Sequence, residues 1–357
     1  MKPVLFATGH VPGYRMGALA CLHQREGLEV ALFGGRFKHG GLPFGGELPF
    51  PHRRVRPGGL WRLAAGGRYR AVVCPTAGRL APASCWAGAR RAGVPLILWT
   101  SLWAHPRTAA HALSYVALRR LYRSADAVVT YGPHVSAYVR ARGARNVHAA
   151  PQSVDNDFWR AAPPAQPREL PWPASAATRF LFVGRPAPEK GLGVLGAAWR
   201  LAGLSATEAA LALVGDGAEM PSPPGWQSVG RLAPSELRAH YAAAHVLVLP
   251  SVATSTFREP WGLVVNEAMN QGLAVIASDA VGAAAGGLVL DGVNGLVVPA
   301  GDPRALADAL RRLAGDGELR RRLGSHGAQD VRAFSHDAWA QGFSSALASV
   351  GLARERW

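Results

Sequence analysis

The chain has 357 residues, 49% of them apolar, and a formal net charge of +16. That length exceeds one ordinary core and suits two domains of roughly 150 to 180 residues, and the apolar content excludes a disordered chain. The charge is lopsided: residues 1–170 carry 23 Lys and Arg against 7 Asp and Glu, residues 171–357 carry 16 against 16. An anionic partner (phospholipid, lipid diphosphate or nucleic acid) is therefore expected for the first half alone.

Lys2 to Thr8 reads as a short buried strand, Gly9-His10-Val11-Pro12-Gly13 as a loop, and Gly17 to Glu26 as a helix. Strand, glycine-rich loop and helix in that order open a Rossmann-like unit. The apolar stretch ending at Thr8 is too short for a signal peptide. Further strands are predicted at Glu29 to Gly34, 71–75, 94–100 and Ala125 to Tyr131, with a helix over His111 to Ser124. Strand and helix alternate, as in a parallel sheet covered on both faces.

Residues 36–70 hold Arg36, Lys38, Arg53, Arg54, Arg56, Arg62, Arg68 and Arg70 against the single acid Glu47, with Phe37, Phe44, Phe50, Trp61 and Tyr69 interleaved. Basic residues mixed with aromatics suit an anionic membrane surface, and this segment is the candidate for docking there. The three cysteines, Cys21, Cys74 and Cys85, form no C-x-x-C pair, which points to a reducing compartment. With no apolar run near the roughly 18 residues of a membrane span, the expectation is a cytoplasmic protein, peripheral at most on the inner face of the membrane.

Prolines 163, 164, 167, 171 and 173 crowd a stretch without periodicity, the best linker candidate. The expected division is 1–165, a basic acceptor-binding domain; 175–335, a donor-binding domain; and 336–357, a helix crossing back to the first. After the linker, strands are predicted at Arg179 to Val183, Ala209 to Val214, Val246 to Pro250 and Ala274 to Ser278. Helices follow at Gly191 to Leu201, Ala233 to Ala244, Leu263 to Asn270, Pro303 to Leu313 and Gly317 to Ala333.

Three clusters in this half carry chemistry. Phe182-Val183-Gly184-Arg185 ends a strand, and Glu189-Lys190-Gly191 leads into a helix. Two cations there form an anion site, a planar fork and a point charge suited to a diphosphate; the competing reading pairs them with surface carboxylates. Leu213-Val214-Gly215-Asp216-Gly217 is a strand-to-turn signal. In Arg258-Glu259-Pro260-Trp261-Gly262-Leu263-Val264-Val265-Asn266-Glu267, Pro260 and Gly262 break any continuous helix, so Glu259 sits in a loop and Glu267 one turn into the next helix. A loop carboxylate can bind a sugar hydroxyl, and a helix carboxylate the two hydroxyls of a ribose.

These clusters, with Val248-Leu249-Pro250-Ser251, Ala277-Ser278-Asp279 and Asp291-Gly292-Val293-Asn294-Gly295-Leu296-Val297-Val298, resemble the family 4 glycosyltransferases in order and spacing over about 120 residues. The resemblance implies an α/β chain of GT-B architecture, two Rossmann-like domains facing each other across a deep cleft. It implies a retaining transferase that moves a sugar from a nucleotide-diphosphate sugar to an acceptor hydroxyl, in cell-envelope polysaccharide, glycolipid or glycoconjugate synthesis. No metal and no cofactor beyond the donor is expected. Arg185 and Lys190 would hold the diphosphate, Glu267 the ribose, and Glu259 with the backbone of Trp261, Gly262 and Leu263 the donor sugar and its phosphate. His105, in Trp103-Ala104-His105-Pro106, matches a histidine near the transferred sugar. Gly184, Gly13 and Arg231 complete the expected donor-binding set. The expected partners are the nucleotide-diphosphate sugar, a sugar, lipid-linked or other hydroxyl acceptor, and an anionic membrane surface. Nucleic acid is not expected, because the neutral C-terminal half argues against a binding face spanning the chain. A nucleotide-sugar epimerase of similar plan is the main rival, and the paired cations with the spaced glutamates argue against it. Two departures from the family stand out: the first loop lacks paired glycines, and Val281-Gly282-Ala283-Ala284-Ala285-Gly286-Gly287 lacks the usual carboxylate.

Overall fold

The computed structural model describes residues 2–34, 48–56, 58–78, 80–163, 170–215 and 225–352. They divide into two compact units, one formed by Met1–Asp155 with Ser335–Trp357 and the other by Asn156–Phe334.

In the first unit seven strands form one parallel sheet: β1 (Val4–Thr8), β2 (Leu28–Leu32), β3 (His52–Arg54), β4 (Ala71–Pro75), β5 (Leu96–Thr100), β6 (Ala127–Thr130) and β7 (Val147–Ala149). Their order is β3-β2-β1-β4-β5-β6-β7, so the chain builds outward from β1 in one direction and then restarts at β4 on its other side. Strands β1 and β4 are buried at every residue, without the apolar–polar alternation of a half-exposed sheet, because helices cover both faces. Phe6, Val30, Val73, Ile97 and Val129 pack under the helices Gly13–Glu26 and His336–Ser349, whereas Leu5, Ala31, Val72, Leu98 and Val128 face Leu60, Ala81, Cys85 and Val139 on the other side.

The last helix is built into this core. Ser335 caps it by accepting a hydrogen bond from the Ala338 amide, and Trp339 and Phe343 stand 6.3 and 5.6 Å from Phe6, ring centre to ring centre. Two expectations change in this unit. The first helix begins at Gly13 rather than Gly17, directly after Pro12, whose extended backbone ends the loop. The basic segment is no uniform surface stripe. Phe50 and Tyr69 are core residues, Arg70 is buried against the Glu26 carboxylate at 2.5 Å, and Arg53 pairs with Glu29. Arg36, Phe37, Lys38, Phe44 and Glu47 lie outside the described residues.

The second unit holds β8 (Thr178–Val183), β9 (Ala209–Val214), β10 (Trp226–Gly230), β11 (Val246–Leu249), β12 (Ala274–Ser278) and β13 (Leu296–Val298), all parallel, in the order β10-β9-β8-β11-β12-β13. Here the order reverses between β8 and β11. The unit begins ahead of the proline-rich stretch: the short helix Asn156–Arg160 docks on the helix Val264–Asn270, where the Asn270 amide donates to Asn156 Oδ1 at 2.8 Å and Arg160 donates to Asn270 Oδ1 at 3.1 Å. Among the described residues, no helix is long and apolar enough to cross a membrane, and no three His, Cys, Asp or Glu side chains gather in a way that could hold a metal ion.

Candidate functional site

In an open parallel sheet, ligands bind beyond the carboxyl ends of the strands where the strand order reverses. In the second unit that place lies between the loops leaving β8 and β11. The loop after β8 carries Gly184, Arg185 and, in a short 3-10 turn Pro188–Lys190, Glu189 and Lys190. The loop after β11 carries Ser251 and Glu259.

The two loops are fastened by three contacts. Lys190 Nζ lies 2.5 Å from Glu259 Oε2, and the Val252 amide donates to the Glu189 carbonyl at 2.9 Å. Gly191 adopts φ +70°, and a Cβ there would fall 2.0 Å from the Pro250 carbonyl oxygen, so both its backbone angle and its surroundings require glycine. The Lys190 and Glu259 side chains are only 15% and 9% exposed, and Ser251 Oγ adds a hydrogen bond to the same Glu259 oxygen at 3.4 Å. Arg185 is different. It pairs with Glu189 at 3.3 Å but stays 45% exposed, its fork open to solvent. Both cations therefore have carboxylate partners, one buried and one at the surface.

A third loop closes on the other side. Gly282, after β12, has no room for a side chain: a Cβ would lie 2.0 Å from the Pro260 carbonyl oxygen, and its amide donates to the Glu259 carbonyl at 3.1 Å. Where the family usually has a carboxylate, this chain has the helical turn Gly282–Ala285, packed directly against Pro260 and Trp261. The Trp261 indole is 2% exposed and donates to Asn266 Oδ1 at 2.8 Å, which sets the backbone path through Gly262 (φ +91°) into Leu263 and the helix Val264–Asn270.

Glu267, one turn into that helix, accepts a hydrogen bond from the Tyr241 hydroxyl at 2.8 Å. Burial pushes its carboxyl up to about 7, and the Tyr241 bond only partly offsets this. Burial, then the neighbouring Glu267 charge, raises the Tyr241 hydroxyl well above its ordinary range.

The structure thus brings Gly184, Arg185, Lys190, Glu259, Trp261, Gly262, Leu263 and Glu267 to neighbouring loops at one sheet edge. Gly184 is fixed by Gly215, whose Cβ would lie 2.0 Å from the Gly184 carbonyl oxygen; Asp216 and Gly217 lie outside the described residues. Arg231 follows β10, with β9 between it and β8, and is exposed. Gly13 and His105 belong to the first unit. Gly13 opens the helix Gly13–Glu26 with no atom within 4 Å of where its Cβ would be. His105 stands edge-on to Tyr115, 5.2 Å between ring centres, with Nδ1 3.4 Å from the Tyr138 hydroxyl. Sequence reasoning passed over Tyr241 and Asn266 as partners, and Gly191 and Gly282 as contact points. The glycines were visible in sequence, but Tyr241 sits 26 residues from the carboxylate it touches.

Two family models match the chain, one described as glycosyl transferase 4-like domain over residues 12–154, the other as glycosyl transferases group 1 over residues 177–316. The chain belongs to the group 1 glycosyltransferases. Among curated relatives of this group 1 glycosyltransferase, a D-inositol 3-phosphate glycosyltransferase of Corynebacterium glutamicum is 43% identical over 115 residues, covering 31% of this chain and 25% of the relative. A GDP-mannose-dependent alpha-mannosyltransferase of Mycobacterium tuberculosis is 32% identical over 241 residues, 63% of this chain and 59% of the relative. The first match thus spans only a quarter of its relative's length. Among solved structures, Anabaena HepE in complex with UDP and glucose superposes with a TM-score of 0.72 at 19% identity, covering 98% of this chain and all of that one. Sucrose-phosphate synthase from Thermosynechococcus elongatus gives 0.72 at 20% identity over 98% and 99% of the two chains. The fold is therefore GT-B.

Proposed function

We propose that this group 1 glycosyltransferase moves a sugar, with retention of anomeric configuration and without a metal, from a nucleoside diphosphate sugar to an acceptor hydroxyl. The observation that carries this reading is the Lys190–Glu259 pair, buried at the point where the strand order of the second sheet reverses. Arg185, open to solvent, and Lys190, held by Glu259, present a fork and a point charge to the two phosphoryl groups. The leaving group is a nucleoside diphosphate, so cations fixed at the phosphates stabilise the charge that develops as the bond breaks. The anomeric C–O bond to phosphate breaks, the acceptor oxygen bonds to the same face, and its proton passes to the leaving phosphate oxygen. Glu259 and the backbone from Trp261 to Leu263 orient the sugar, and Glu267 accepts from the ribose hydroxyls. Arg231 completes the donor-binding set of the second unit; Gly13 and His105 are assigned to sugar transfer only through the resemblance of their sequence motifs. The epimerase alternative has no comparable use for a paired cation and carboxylate at this position.

The test is a calorimetric panel of UDP, GDP, UDP-glucose and GDP-mannose against neutral sugars, followed by NMR of the product's anomeric centre. Nucleoside diphosphates that bind only the folded state raise its stability with occupancy. No binding by any of them, or an inverted product, overturns the reading.

The acceptor is proposed to be presented at the inner face of a membrane. Arg54, Arg56, Arg62 and Arg68 remain exposed, and Trp61 in the same segment is 43% exposed, a mixture suited to anionic headgroups. Flotation with anionic vesicles at low and high salt tests this: binding at low salt that fades at high salt supports it, and no binding at low salt ends it.

A further inference from the structure

One cluster in the first unit is not absorbed by the donor site. Arg15, two residues into the helix after β1, is only 4% exposed. Its guanidinium carbon lies 5.1 Å from the centre of the Trp99 ring, 5.2 Å from Trp339, 6.0 Å from Tyr131 and 5.3 Å from Tyr14. Nη2 donates to Gln152 Oε1. Among the described residues no carboxylate pairs with Arg15, and its Nη1, Trp99 Nε1 and Trp339 Nε1 are buried donors without acceptors. Trp99 is near the carboxyl end of β5, Tyr131 follows β6 and Gln152 follows β7, so the guanidinium sits at the carboxyl end of the sheet.

A buried cation held by aromatic faces and one amide but by no carboxylate keeps a net positive charge, and native structures rarely leave three neighbouring donors unpaired. All three unsatisfied groups are donors and one carries positive charge, so the missing component is an acceptor with negative charge. We infer that the Arg15 cage is an oxyanion site that takes a phosphoryl group. Tyr14, whose ring centre lies 5.3 Å from the guanidinium carbon, is 46% exposed, so the cage has one side at the surface. Resting on the sugar-transfer reading for what carries it, the phosphoryl group belongs to a phosphorylated acceptor, and Arg15 is a specificity-determining residue for that substrate.

The experiment is titration of the full chain at constant ionic strength with inorganic phosphate, glucose 6-phosphate and glucose, followed by calorimetry and tryptophan fluorescence. The K190A variant separates this site from the donor pocket. Phosphate is expected to bind K190A, and R15Q in the same background to weaken it about tenfold or more, the range of one hydrogen bond to a charged group. Should R15Q fail to fold, W99F keeps an aromatic ring at that position and removes one donor, with a smaller weakening expected. Phosphate binding unchanged by R15Q or W99F, or absent from K190A, overturns the site. Arg15-dependent binding of glucose 6-phosphate but not glucose supports the acceptor assignment, and binding of inorganic phosphate alone overturns it. No turnover is read, so a failure of the donor reading gives a separate result.

Discussion

Lys190 Nζ stands 2.5 Å from Glu259 Oε2, joining two loops whose pairing residues are 69 positions apart in the chain. The pair is a structural clasp and a chemical element at once: Glu259 fixes the ammonium where the strand order reverses, and each charge is the other's buried partner. Removing one member of such a pair costs more than removing both, because the survivor is left buried and unpaired.

The first prediction follows from that asymmetry. K190M is expected to lose about 3–5 kcal/mol of stability, and the double variant K190M/E259Q to recover part of it. Both are expected to lose transfer rate by about 10²–10³, the usual cost of one contact to developing charge. Urea unfolding and steady-state rates check the two halves. Equal stability of the single and double variants would show that the pair is not coupled.

The glycine contacts give the second prediction. G191A places a Cβ 2.0 Å from the Pro250 carbonyl oxygen at a residue with φ +70°. The backbone angle alone costs about 1–3 kcal/mol for a residue with a side chain, and the overlap must push apart the two loops that hold Lys190 and Glu259. Weaker nucleoside diphosphate binding is expected together with lower stability. G193A, with nothing within 4 Å of its Cβ, is the control and is expected to change neither.

Much of this site was legible from sequence. Strand ends followed by Gly-Arg and Glu-Lys-Gly, and a Pro-x-Gly break between Glu259 and Glu267, report backbone requirements that are local. The strands β4, β9 and β12 could be placed because they are short apolar runs bounded by turn residues. The strands β3 and β7 were not, because His52-Arg53-Arg54 and Val147-His148-Ala149 are three-residue edge strands, too short for an apolar run or an alternating pattern to be read. The partners were hidden for a different reason. That Tyr241 donates to Glu267, or that Arg15 lies among Trp99 and Trp339, depends on tertiary packing between distant elements. The aromatic residues of the basic segment misled for the same cause: Phe50 and Tyr69 look like a membrane stripe in sequence and are core residues in the fold.

His105 supplies the third prediction. Its ring stands edge-on to Tyr115, with Nδ1 near the Tyr138 hydroxyl. H105Q is expected to lower kcat by about 10²-fold or less, the range of a single polar contact in the transition state, with little change in unfolding midpoint. A large loss of stability with kcat per folded molecule unchanged would make the residue a packing element.

The last prediction concerns pH. The Glu267 carboxyl lies near 7 in the folded protein against an ordinary value near 4.5, chiefly through burial. The folded state therefore holds a proton more tightly than the unfolded chain. Its contribution to stability is fully present below about 4.5 and is lost as pH rises through about 7, where the buried carboxylate ionises without a cation beside it. The loss across that window is at most about 3 kcal/mol. E267Q keeps an oxygen for the Tyr241 hydroxyl and removes the titration, so its urea midpoint is expected to vary less between pH 5 and pH 8 than that of the native chain. Binding adds a second reading. Ribose hydroxyls are better donors to a carboxylate than to a carboxylic acid, so the native chain is expected to tighten its hold on a nucleoside relative to E267Q as pH climbs from 6 to 8. Uridine, which carries no phosphate and so does not titrate in that range, is the probe that isolates the ribose contact, and identical pH profiles for the two proteins would remove Glu267 from the ribose site.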